Sequence, residues 1–314
     1  MNRINLFKIG NGIGSNTQVK ADFMMLIVTI LWGSSYLFMK MGLDSLQGFN
    51  LIALRFCLAF ILAGIVFYKR LIHIESKTIF YGFLLGTILF LIMSVVTLGL
   101  NFTSISNAGF LFSLSVVFIP LLLAIFFRKR PEKKVVLGIS VSIIGIALLT
   151  LNNALQINSG DFLITLGALF YAVLIIVTDK LTKNVDSITL GILQLGFAGA
   201  WGLLFSFLFE EPHLPHTTES WVSIMALSIL CSAIGFIGQA TAQKYTTPTH
   251  TGLIFSLEPV FAALFAFIFV SETLPAKGYL GAILILLGVL IAKIGFKKPI
   301  LRKSFNKAIN GSEA

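Results

Sequence analysis

Glu258 stands in an apolar run, residues 249–270, with Phe255, Leu257, Val260 and Phe261 close by in the chain. As the tenth residue of this 22-residue run, it would lie roughly 13 to 15 Å from either end at the helical rise. An ionisable group at that depth costs on the order of 2.5 kcal/mol or more, so it must face a protein interior and pair, take a proton or bind a ligand. A lone carboxyl there suits a proton carrier. The structural alternative is a protonated side chain bonded to a neighbouring helix beside Pro259. Arg55 lies about 8 Å inside the end of a second apolar run. It fits a solute carboxylate, a pairing with Glu258, or a side chain that snorkels to the surface. Gln194 is an uncharged polar residue able to line the same cavity. Trp32, Tyr36 and Tyr171 supply either an aromatic wall or ordinary packing and interface belts. Ser113 and Ser256 occupy matched positions in the fourth apolar run and in the ninth, which holds Glu258, and Asn107 and His250 read as helix caps. Pro120 and Pro259 lack an amide hydrogen and so kink their helices. The carbonyls they free, on Val116 and Phe255, can face water or a solute.

Other chemistries lack their residues. No Gly-x4-Gly-Lys-Ser/Thr loop occurs for a nucleotide, and no His-Glu-x2-His for a metal. Cys57 and Cys231 both lie in apolar runs, so neither a disulfide framework nor a thiolate metal site is expected. No cofactor is expected either. A membrane-embedded enzyme acting on a lipid-linked substrate is the competing class, and it calls for paired carboxylates or a catalytic histidine at one membrane face.

The elements that position these residues follow from composition. Of 314 residues, 57% are hydrophobic and 11% charged, about half the charge usual in soluble proteins. Such a chain needs lipid as its solvent. Runs long enough to span a bilayer as helices fall at 21–41, 50–67, 79–100, 107–127, 135–151, 161–178, 188–209, 221–242, 249–270 and 278–296. With the amino terminus cytoplasmic, 20 of the 23 Lys and Arg residues fall on cytoplasmic segments, as the orientation rule for basic residues requires. The net charge of +10 then reports membrane orientation, and no nucleic-acid partner is expected. The expectation is an all-α integral membrane protein of the cell membrane, multi-pass, with both termini cytoplasmic.

The chain also repeats. Offset by 143 residues, Gly109 falls on Gly252, Phe112-Ser113-Leu114 on Phe255-Ser256-Leu257, Val117-Phe118 on Val260-Phe261, and Gly138 and Gly145 on Gly281 and Gly288. Offset by 139, Asp22-Phe23 falls on Asp161-Phe162, Trp32 on Tyr171 and Arg55 on Gln194. Each unit holds five spans, and an odd number turns the second unit upside down. Halves of opposite sense can exchange unlike conformations and open a central site to each side in turn. The expected domains are a tail, 1–20; a first five-helix repeat, 21–151; a second, 160–296; and a basic tail, 297–314.

Trp32-Gly33-Ser34-Ser35, Leu54-Arg55-Phe56 and the run from Ser256 to Leu264, which reads Ser-Leu-Glu-Pro-Val-Phe-Ala-Ala-Leu, resemble the EamA-like family of the drug/metabolite transporter superfamily. Ser271-Glu272-Thr273-Leu274, Leu280-Gly281-Ala282 and Gly288-Val289 continue the pattern. The family often has Ser-Pro early in the fourth span and an acidic residue at its end. Here Pro120 sits deeper, and the end reads Arg128-Lys129-Arg130-Pro131-Glu132. The resemblance implies a ten-helix secondary transporter with a central cavity, often an exporter of amino acids or related metabolites. Its partners would be a small-molecule solute and the lipid bilayer, and a second copy of the chain stays open as a third.

Overall fold

The computed structural model describes residues 15–72, 74–126, 133–150, 158–183, 185–245, 251, 254–255 and 257–293. The described residues form helices and connecting turns, with no strand among them. In chain order the helices are α1 (Ser15–Leu43), α2 (Gly48–Val66), α3 (Tyr68–Leu71), α4 (Ser76–Leu100), α5 (Ile105–Phe112), α6 (Ser115–Phe126) and α7 (Lys133–Thr150). There follow α8 (Ser159–Leu181), α9 (Ser187–Phe209), α10 (Thr218–Ala226), a π-helical stretch (Leu227–Ile234), α11 (Gly235–Gln243), α12 (Glu258–Val270) and α13 (Ala276–Lys293).

Among the described residues, seven helical segments are long and apolar enough to cross a membrane, from Thr17–Leu43 to Thr218–Gln243. Three shorter apolar helices fall where the fifth, ninth and tenth spans are expected. Large apolar side chains cover much of the outside, among them Phe207, Leu208 and Phe209 on α9 and Phe267, Ile268 and Phe269 on α12. Only a lipid solvent makes that surface favourable.

Two local expectations change. Residues 15–20, read from sequence as part of a tail, are the first turns of α1; the rest of that segment, 1–14, and the basic tail, 297–314, lie outside the described residues. Pro259 does not kink a continuous helix. A single turn at Leu257 precedes α12, and Pro259 sits in its first turn, where a missing amide hydrogen costs nothing. Glu258 is therefore the first residue of α12 rather than the middle of an unbroken helix. The fourth span breaks at the matching place, between α5 and α6 at Ser113-Leu114, six residues before Pro120. The turn hydrogen bonds correspond at the offset of 143: Leu114 N to Leu111 O with Leu257 N to Ile254 O, and Val117 N to Leu114 O with Val260 N to Leu257 O.

Packing repeats with the same offsets. Gly145 lies against the backbone of Gly281 and Ile285, and Gly288 lies against Gly138 and Ser142. A side chain at either glycine would collide with the opposing helix, so α7 and α13 touch backbone to backbone. Where α2 crosses α9, Gly199 meets Cys57 and Gly196 meets Phe60, mates at the offset of 139. Gly167 on α8 lies against Val95 on α4, and Gly238 on α11 lies against Val28 on α1. That second pair relates α4 to α11 by 143 residues.

The two ends of the bundle differ. One is laced by polar contacts between the halves. Glu210 accepts the amides of Phe49 and Asn50 at 2.8 and 2.7 Å. Glu272 accepts those of Ile105 and Ser106 at 3.1 and 2.9 Å. Each carboxylate thus satisfies the open N–H groups of a helix start belonging to the other half. Thr103 of the first half donates to Asp161 of the second, and within the first half Lys40 donates to Leu100 O at 2.6 Å. At the other end, Arg70 pairs with Asp186 at 2.9 Å in partly exposed surroundings.

Candidate functional site

The centre is aromatic and built on the repeat. Trp32 and Tyr171, matched residues of α1 and α8, meet edge to face with ring centroids 5.9 Å apart. Phe112 lies 5.0 Å from Tyr171, and its counterpart Phe255 lies 5.1 Å from Trp32. Trp32 donates its indole N–H to Cys231 O in the π-helical stretch at 2.8 Å. In that stretch the Gly235 amide reaches Leu230 O, five residues back. π turns of this kind recur at functional sites.

Beside this cluster is a cavity with an open volume of about 30 Å³, room for a water or two. Trp32, Ser35, Tyr36 and Met39 line it from one face of α1, with Arg55, Met93, Val96, Phe112, Tyr171, Phe236 and Glu258 from six other helices. The charged groups break the symmetry. Arg55 corresponds to Gln194, and Glu258 corresponds by the offset of 143 to Ser115. A basic and an acidic side chain, one from each half, thus stand on the cavity wall, and neither recurs at its counterpart position.

Glu258 is 6% exposed and accepts a hydrogen bond from the Tyr36 hydroxyl at 2.9 Å. Arg55 is 2% exposed and does not snorkel. Its Nε donates to Ser232 Oγ at 2.6 Å, while Nη1 contacts the sulfurs of Met39 and Met93 at 3.3 and 3.7 Å. It forms no ion pair with Glu258; a serine and two weak sulfur acceptors hold the guanidinium. A buried cation with such soft partners keeps donor capacity for an anionic group entering the cavity.

Of the residues singled out in the sequence, Glu258, Arg55, Trp32, Tyr36 and Tyr171 come together on this wall. Gln194 and Ser113 do not. Gln194 is buried where α9 meets Gly86 of α4, and Ser113 turns its hydroxyl back to Phe110 O at 2.6 Å. Ser256 and His250 lie outside the described residues. The helix start expected at Asn107 is capped by Ser104, which accepts the Asn107 amide. Sequence reasoning missed Met39, Met93, Phe112, Phe236 and Ser232. Spacing gave a signal for Met39 alone, which shares the face of α1 with Trp32 and Tyr36.

A helical bundle with apolar outer faces, enclosing a mainly aromatic pocket with a buried arginine and glutamate on its wall, is the build of a multi-pass membrane transporter of small solutes. The EamA-like transporter family matches the chain twice, over residues 19–151 and 158–293, and the chain belongs to that family. An uncharacterized transporter of Archaeoglobus fulgidus is 28% identical over 300 residues, covering 93% of this chain and 92% of that one. A probable amino-acid metabolite efflux pump of Salmonella typhimurium is 26% identical over 297 residues, covering 88% and 96% respectively. A solved crystal structure shares the fold with a TM-score of 0.66 at 18% identity, covering 87% of this chain and 96% of that chain.

Proposed function

We propose that the protein is a secondary active exporter of small zwitterionic metabolites such as amino acids across the cell membrane, by alternating access and coupled to proton movement through Glu258. The observation that carries this reading is that Arg55 and Glu258 stand on one cavity wall without pairing to each other. The guanidinium suits the solute's carboxylate, and the Glu258 carboxylate suits its ammonium or a proton in exchange. Aromatic and thioether side chains between them suit an apolar side chain. The name of the Salmonella typhimurium relative points to the same solute class.

In this reading ten spans form two five-helix repeats of opposite sense, with both termini cytoplasmic. The paired contacts at offsets of 139 and 143 support it, as do the two successive family matches. The cavity of about 30 Å³ is smaller than an amino acid, so in this reading its walls part to admit the solute.

The test is flux from proteoliposomes loaded with the standard amino acids and followed by mass spectrometry of the external medium. Protein-dependent release of particular amino acids, driven by an imposed pH gradient, is the expected outcome. No release of any of them, with a gradient of either sign, would refute the reading.

A further inference from the structure

Two glutamines one turn apart on α11, Gln239 and Gln243, are 2% and 1% exposed and both reach toward α8. Gln239 Nε2 meets the Tyr171 hydroxyl, on the cavity wall, at 3.3 Å. Gln243 Nε2 meets Ile175 O at 3.5 Å, and its Oε1 has no hydrogen-bond partner. The next residues, Lys244 and Tyr245, are exposed. Two buried amides therefore stand on the α8–α11 seam between the cavity wall and the exposed end at Lys244 and Tyr245, the inner one bonded to Tyr171 and the outer one with an unpartnered oxygen. That is the end carrying the Arg70–Asp186 pair, since α8 leads there into the turn at Thr182 and Lys183.

Buried amides with unfilled capacity are costly in a membrane helix unless water or a ligand reaches them in another state. The repeat supplies the comparison. The counterpart of this seam is α1 against α4, and there Lys40 bonds Leu100 O at 2.6 Å, closing the opposite end. By the offsets of 139 and 143, the positions of Lys40 and Leu100 fall on Asp179 and Gln243. Those two do not hold the seam in the same way. Asp179 is taken by Lys183 at 2.9 Å, and the Gln243 amide reaches only Ile175 O.

We propose that the α8–α11 seam is the second part of the solute path. It opens the cavity to the face bearing Lys183, and Gln239 and Gln243 relay the polar ends of a zwitterionic solute along it. The proposal rests on the transport reading. It adds the route, the residues that line it and the side to which the cavity next opens.

Single cysteines at Gln239 and Gln243 test it, with the unsubstituted protein reporting the reactivity of native Cys57 and Cys231. The probe is a membrane-impermeant cationic methanethiosulfonate, applied to either face of reconstituted vesicles. Lys183→Cys marks the face to which the seam would open, and Ala168→Cys on α8 marks dry packing. Gln243→Cys is expected to react at least about tenfold faster than Ala168→Cys, only from the face that labels Lys183→Cys. A leucine and phenylalanine mixture inside the vesicles should change that rate. Gln243→Leu should slow amino-acid flux at least about tenfold while keeping the thermal stability of the unsubstituted protein. Unreactive cysteines at both positions in a protein that moves amino acids would overturn the seam alone. Wild-type flux in Gln243→Leu would do the same. Absence of flux from the unsubstituted protein would remove the transport reading and the seam with it.

Discussion

Tyr36 and Glu258 meet across 222 residues of chain, and Arg55 lies on the same wall bonded to Ser232 rather than to Glu258. Their chemistry is separable by substitution. Glu258→Gln keeps the shape and the Tyr36 hydrogen bond but cannot exchange a proton near neutral pH. Downhill amino-acid counterflow is expected to persist in that variant while the response of flux to an imposed pH gradient disappears. Flux still driven by the gradient would remove Glu258 from coupling. Arg55→Ala should raise KM for amino acids at least about tenfold, the loss of one charge-assisted hydrogen bond of about 1.5 to 3 kcal/mol. Arg55→Lys should recover only part of this, because an ammonium lacks the planar fork.

Helix elements meet through small residues, and a side chain added there has no space to occupy. Gly288→Val would drive its methyl groups into Ser142 and the Gly138 carbonyl. Overpacking of this kind costs about 1 to 3 kcal/mol, read as a lower unfolding temperature in detergent. An unchanged unfolding temperature would mean that α7 and α13 separate easily. Pro259→Ala should leave stability almost unchanged, since the chain already turns at Leu257 and the proline occupies a first-turn position. A large loss would restore the kinked-helix description that the sequence suggested.

At the scale of the molecule, the contrast between the ends predicts how pH and mutation redistribute its conformations. Partial burial alone would raise the Asp186 carboxyl. The Thr189 amide and hydroxyl and the Arg70 guanidinium outweigh that and hold it below the usual carboxylate range. A carboxyl lowered in the folded state stabilises fully above its unfolded value of about 3.9 and loses that contribution as pH falls through its folded value. The Arg70–Asp186 tie is therefore expected to hold at neutral pH and to give way only below about pH 4. Both side chains are nearly half exposed, so its contribution is small and screened by salt. Removing the tie with Asp186→Asn should raise thiol labelling of Lys183→Cys at neutral pH. On the opposite end, Glu272→Ala removes two helix-start acceptors, a loss of about 0.5 to 2 kcal/mol. Labelling of a cysteine at exposed Asn101 should then accelerate, and an unaltered rate would show that Glu272 does not hold that end.

Composition alone required a lipid solvent, because 57% hydrophobic residues cannot be covered by 11% charged ones in water. The repeat was legible too, since apolar spans that pack alike keep the same glycines and aromatic residues at a fixed offset. Glu258, Arg55, Trp32, Tyr36 and Tyr171 stood out because a polar or aromatic group in an apolar run has few reasons to be there. What sequence could not supply was direction. Whether Arg55 faces Glu258 or Ser232, whether Gln194 faces the cavity or α4, and which seam is loose depend on helix rotations of a few tens of degrees. Side-chain packing between distant segments sets those rotations. The break before Glu258 belongs to the same class: proline announces a disruption, but only tertiary contacts decide whether it becomes a bend or a new helix start.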